Sequence, residues 1–143
     1  MLVSELNIVV KVLKHEWPEN WPSFIPELVE SSRSNESLCE NNMHILRLLS
    51  EDIYDFPLDR LTRAKAAKLK QQLEMEFATV FELCLGTLRD STKPSLIRST
   101  LEALARFLTW IPLNYVVETD IVECLLNKAG VKFLSVILCV LTL

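Results

Sequence analysis

Residues 69–88 read Leu69-Lys-Gln-Gln-Leu73-Glu-Met-Glu-Phe77-Ala-Thr-Val80-Phe81-Glu-Leu-Cys84-Leu-Gly-Thr-Leu88. Leu69, Leu73, Phe77, Val80, Phe81, Cys84 and Leu88 recur at spacings of three and four. A helix turns once every 3.6 residues, so these side chains form one apolar stripe through more than five turns. The pattern repeats on both sides. Ile97, Leu101, Leu104, Leu108 and Ile111 form a second stripe, and Leu38, Ile45, Leu46, Leu49 and Ile53 a third. Nowhere do apolar and polar residues alternate for long enough to predict a strand.

Breakers divide the stripes. Pro18, Pro22 and Pro26 punctuate the first third, Pro57 separates two helices, and Pro112 stops another. Pro94 falls just inside a helix start, where its missing N–H costs nothing. Ser91 or Thr92 is the expected cap there, and Ser34 or Asn35 the cap of an earlier helix. The predicted helices cover roughly 2–15, 22–32, 36–54, 60–90, 94–110, 117–128 and 131–142, with a hinge at Gly130. From the second onward they pair, and the pair period of about 40 residues is that of HEAT-type repeats. The expected fold is all-α, an α-solenoid of HEAT-type antiparallel helix pairs, with a compact bundle as its rival.

Composition narrows the functions. The chain has 143 residues, half of them hydrophobic, and only two glycines. Rossmann sheets and phosphate-cradling loops need glycine at defined turns, so both are disfavoured. A net charge of −4 disfavours a general nucleic-acid binder. The four cysteines form no CxxC pair and read as reduced core thiols. No basic-apolar leader opens the chain. His15 and His44 are the only histidines, and neither stands at a spacing that closes a four-ligand metal site. No catalytic motif is present, so neither an enzyme nor a cofactor is expected.

The most specific stretch is His15-Glu16-Trp17-Pro18-Glu19-Asn20-Trp21-Pro22-Ser23-Phe24-Ile25. Two Trp-Pro steps four residues apart predict a rigid corner, Trp17, Pro18, Trp21 and Pro22, with both indoles buried between the first three helices. On the helix that follows, Glu40, His44, Arg47 and Glu51 are spaced four, three and four apart and line one polar face. Arg60, Arg63, Lys65, Lys68 and Lys70 crowd a helix start, where positive charge opposes the dipole and points to an acidic partner.

The corner resembles the N-terminal region of the exportins, in the importin-β (karyopherin) superfamily. The likeness extends through Leu6-Asn7-Ile8-Val9-Val10, Leu13 to Pro18, Ser37 to Met43, Ile45 to Asp52 and Tyr54-Asp55-Phe56. It continues through Glu76-Phe77, Phe81 to Cys84, Thr100 to Leu104 and Phe107 to Leu113. It covers about Leu6 to Leu126, with 127–143 a divergent apolar tail. The resemblance implies a ring of HEAT repeats that carries cargo with leucine-rich export signals from nucleus to cytoplasm together with Ran-GTP. It also implies that the N-terminal repeats contribute to the Ran surface, that the cargo groove lies in later repeats, and that the second helix of each pair faces Ran. On this reading the polar stripe Glu40, His44, Arg47 and Glu51 is the candidate contact face, cargo belongs only to a full-length parent, and the chain is a partial N-terminal region. A free-standing helical scaffold and a truncated product without independent function are the alternatives. The tail from Val131 to Leu143 would span about 20 Å as a helix, too short for the ~30 Å hydrocarbon core, so no membrane span is expected. Its apolar surface predicts self-association instead.

Overall fold

The computed structural model describes residues 3–55 and 62–129. The predicted hinge at Gly130, the apolar segment 131–143, Pro57 and Arg60 lie outside them. Helix α1 runs Val3–Glu16, α2 Phe24–Ser34, α3 Glu36–Ser50, α4 Arg63–Asp90, α5 Pro94–Phe107, α6 Asn114–Val117 and α7 Ile121–Ala129. Among the described residues there is no strand. Helix α3 does not stop at Ser50 but widens into a π-helical turn, Glu51–Asp55.

Local chemistry sets the boundaries. Asn35 is extended, and its Oδ1 accepts from the backbone N–H of Ser37 (2.8 Å) and Leu38 (3.1 Å), capping α3. Thr62 Oγ1 caps α4 by accepting from Lys65 N at 3.1 Å. Pro94 opens α5, and the cap residue is Lys93, without a side-chain cap. Ser91 and Thr92 therefore do not cap α5, contrary to expectation. The proline holds Lys93 in an extended conformation, which puts the cap position one residue before it. Ser91 instead accepts from Lys93 N at 3.2 Å within the turn.

The helices pack as HEAT-type antiparallel pairs, α2 with α3 and α4 with α5, in two layers. α1, α3 and α5 lie side by side in one layer, and α2, α4 and α7 in the other. A single apolar core runs between the layers from Leu6 to Leu125. Leu6, Val10 and Leu13 enter it from α1 and Trp17 from the residue just after it, at successive spacings of four, three and four. Leu69, Leu73, Phe77, Val80, Phe81, Cys84 and Leu88 enter it from α4 as one stripe, as their spacing predicts. Phe77 is an aromatic hub, with the rings of Phe81, Phe107, Trp110 and Tyr115 within 5.8 Å.

The two indoles of the corner part company. Trp17 is wholly buried and meets Phe24 edge-on at 6.0 Å. Trp21 is 41% exposed, which corrects the expectation that both are buried. It lies against Phe24 at 5.2 Å and donates from Nε1 to Glu27 Oε2 at 2.8 Å, a bond that holds its polar edge at the surface. Pro18 follows Trp17 in a cis peptide, and Pro22 precedes the start of α2.

Candidate functional site

Helix α3 occupies the middle of its layer and touches α1, α2 and α5. Its buried arc is therefore broad: Cys39, Asn42, Met43, Leu46, Leu48, Leu49 and Ser50 all face inward. The arc includes five residues absent from the predicted stripe, Cys39, Asn42, Met43, Leu48 and Ser50, while Leu38, which was in it, is 40% exposed. Asn42 Nδ2 reaches α2, donating to Leu28 O (3.2 Å), Ser31 Oγ (3.1 Å) and Ser32 Oγ (2.8 Å). Ser50 Oγ accepts from Trp110 Nε1 at 2.8 Å.

The four residues of the polar stripe are half-buried rather than fully solvated. They follow the seam between α3 and α5. At its lower end Glu40 Oε2 meets Lys93 Nζ and Ser95 Oγ, each at 3.2 Å. At its upper end Glu51 Oε1 receives Arg47 Nη1 at 3.1 Å and Arg106 Nε at 2.9 Å. The neighbouring Asp52 pairs with Lys14 of α1 at 2.9 Å, so the charges tie all three helices of the layer together. Two polar atoms in the middle are buried with no hydrogen-bond partner among the described residues: His44 Nδ1 and Arg47 Nε. The stripe thus combines carboxylates that are already paired with a histidine and an arginine whose hydrogen-bonding capacity is partly unused.

Sequence reasoning missed that α5 supplies the stripe's counter-charges. The signal was available in Lys93 and Arg106, which stand 13 residues apart near the two ends of α5. The basic start of α4 is also partly answered within the chain. Lys68 pairs with Glu19 of the corner and holds its carboxyl below the usual carboxylate range, and Lys70 Nζ sits 5.4 Å over the Tyr54 ring. Tyr54 stacks on Trp110 at 4.5 Å and donates to Glu74 Oε1 at 2.9 Å; burial, then that carboxylate, push its hydroxyl pKa up. Burial likewise raises the Cys84 and Cys39 thiols, as expected of inert core cysteines. Among the described residues, no group of three or more His, Cys, Asp or Glu could hold a metal ion, and no helix is long and apolar enough to cross a membrane.

The arrangement is a charged seam between two neighbouring helices. The model of the family described as Exportin 1-like protein matches residues 2–139. The chain is 54% identical over 120 residues to Exportin-1 of Schizosaccharomyces pombe, an overlap of 84% of this chain and 11% of that protein. It is 51% identical over 121 residues to Exportin-1 of Dictyostelium discoideum, covering 84% and 11%. To Protein EXPORTIN 1A of Arabidopsis thaliana it is 46% identical over 128 residues, covering 89% and 12%. The chain spans about a tenth of the length of these relatives. With its paired helices, its two layers and this likeness through nearly its whole length, the chain belongs to the exportin 1-like family of the karyopherin superfamily.

Proposed function

We propose that this chain contributes HEAT-type helix pairs to a nuclear export receptor, and that the layer formed by α1, α3 and α5 faces Ran in its GTP-bound form. The observation that carries the reading is the 46–54% identity to exportin 1 proteins over more than four-fifths of the chain. Within that layer the stripe Glu40, His44, Arg47 and Glu51 is the contact face. Its support is physical. A buried polar atom without a partner costs free energy that a docking group would recover once the side chain turns outward, and His44 Nδ1 and Arg47 Nε are two such atoms. Cargo carriage belongs, in this reading, to the longer receptor, which shuttles between nucleus and cytoplasm.

The test is a chimera. Residues 6–126 replace the corresponding segment of the fission-yeast Exportin-1, and binding of Ran loaded with a non-hydrolysable GTP analogue is measured by interferometry. Affinity within about threefold of the parent supports the reading; a folded chimera that no longer distinguishes GTP-loaded from GDP-loaded Ran overturns it. Arg47→Ala in the same chimera tests the stripe, since Glu51 keeps Arg106 when Arg47 is removed. An unchanged Ran affinity would clear the stripe of any role.

A further inference from the structure

Away from the α3–α5 stripe, a cleft of about 380 Å³ opens where α2 hands over to α3, beside the last turns of α4. Its floor is largely apolar, with Cys39, Leu83 and Leu96 buried beside the side chains of Ser32 and Ser91. Its rim carries Glu36, Glu82 and Asp90, all exposed, against one guanidinium, Arg33. Elsewhere five acids are paired with a base from another segment: Glu19 with Lys68, Glu40 with Lys93, Glu51 with Arg106, Asp52 with Lys14, Asp120 with Arg89. The three rim carboxylates have no ion pair among the described residues.

Gly86 lies on the wall of this cleft, and a Cβ placed there would meet nothing within 4 Å. A glycine inside a 28-residue helix weakens it relative to alanine, and here the missing side chain leaves space that no core residue fills. A largely apolar floor, an unfilled wall and an acidic rim together select a ligand group that is long, aliphatic along its stem and cationic at its tip. A purely apolar side chain would leave the carboxylates unanswered, and an acidic one would be repelled.

We propose that this cleft receives an arginine or lysine side chain from a basic peptide segment of a partner protein. The aliphatic stem lies along Leu83, Gly86 and Leu96, and the charged head sits among Glu36, Glu82 and Asp90. The proposal is independent of the Ran reading, because the cleft and the stripe share no residue.

The experiment uses the full 143-residue chain, labelled with nitrogen-15 and titrated with acetyl-Leu-Arg-Leu-amide. The control peptides carry norleucine or glutamate in place of arginine. Saturable shifts centred on the amides of Leu83, Gly86 and Thr87 are expected, at least tenfold weaker with norleucine and absent with glutamate. Gly86→Leu should fill the cleft and weaken the arginine peptide at least tenfold, with the circular dichroism spectrum retained. Should Gly86→Leu fail to fold, the rim variant Glu82→Gln/Asp90→Asn, at two exposed positions, makes the same test with an expected loss of at least threefold. Equal affinity for the arginine and norleucine peptides, or shifts that centre outside the cleft, would overturn the proposal. So would a folded variant that binds as the parent chain does.

Discussion

Asn42 of α3 and Ser32 of α2 are joined at 2.8 Å inside the interface of their helix pair, and both side chains are buried. Ser32 Oγ in turn donates to Leu28 O at 2.7 Å, so the amide, the hydroxyl and a backbone carbonyl form one satisfied network. Removing a single member strands the others away from water. Asn42→Ala should therefore lower the stability of the chain by about 2–3 kcal/mol. Chemical denaturation checks this, and a loss under about 0.5 kcal/mol would show that water takes over the amide's bonds.

The two tryptophans of the corner should behave oppositely. Trp17 is fully buried, and Trp17→Ala should cost about 3–5 kcal/mol, as for other large-to-small core changes. Trp21 is 41% exposed, with its ring against Phe24 and its Nε1 bonded to Glu27 at the surface, so Trp21→Ala should cost about 1 kcal/mol. Paired urea titrations of the two variants measure the difference directly, and similar losses would contradict the assigned burial.

Glu51 is the anchor of the α3–α5 seam, being 13% exposed while Arg106 is 51% exposed. Truncating the buried member leaves Arg47 without its carboxylate, whereas truncating Arg106 leaves Glu51 still paired. We expect Glu51→Ala to destabilise by about 1–3 kcal/mol and Arg106→Ala by less than about 1 kcal/mol. The Arg106 effect should fade in molar salt, because the exposed partner is screened.

Burial raises the carboxyl pKa of Glu76, and its Oε2 has no hydrogen-bond partner among the described residues. Gln72 and the Trp17 indole favour the charged form, but neither outweighs desolvation, and the buried Trp17 Nε1 does not close a hydrogen bond. Between the ordinary carboxylate pKa and the raised one, the folded state holds the proton more tightly than the unfolded state. Stability from this group therefore falls as pH rises through that window. Glu76→Gln should raise the melting temperature at pH 7, and the gain should vanish below about pH 4, where the parent carboxyl is protonated in both states. A pH series of thermal melts decides; an equal gain at pH 3 and pH 7 would assign the effect to packing.

Much of the fold was legible because helices announce themselves through period and punctuation. The α4 stripe, the Asn35 cap and Pro94 at the start of α5 all follow from rules that involve one helix at a time. What was not legible depends on neighbours. The buried arc of α3 takes in Asn42 and Cys39 because three helices surround it, and no pattern within α3 shows that. Trp21 differs from Trp17 because Glu27, six residues on, offers a surface acceptor to one indole and not to the other. The polar stripe was visible as a face, but its pairing with Lys93 and Arg106 arises only when α5 is laid alongside.

The core that runs unbroken from Leu6 to Leu125 has a consequence for how the chain comes apart. Among the described residues the buried apolar side chains of successive helix pairs form one cluster, so a pair removed from the stack would expose the apolar faces it shares with its neighbours. In an array of this kind the coupling between units outweighs the stability of each unit alone. The middle of the chain, α2 to α5, should then melt as one cooperative block, with α1 and the short α6, each with fewer neighbours, fraying before it. Amide hydrogens around Leu46 and Val80 should exchange only through global opening, and those of α1 by a faster local route. The helix pair is thus a unit of geometry here, and the unit of folding is the stack.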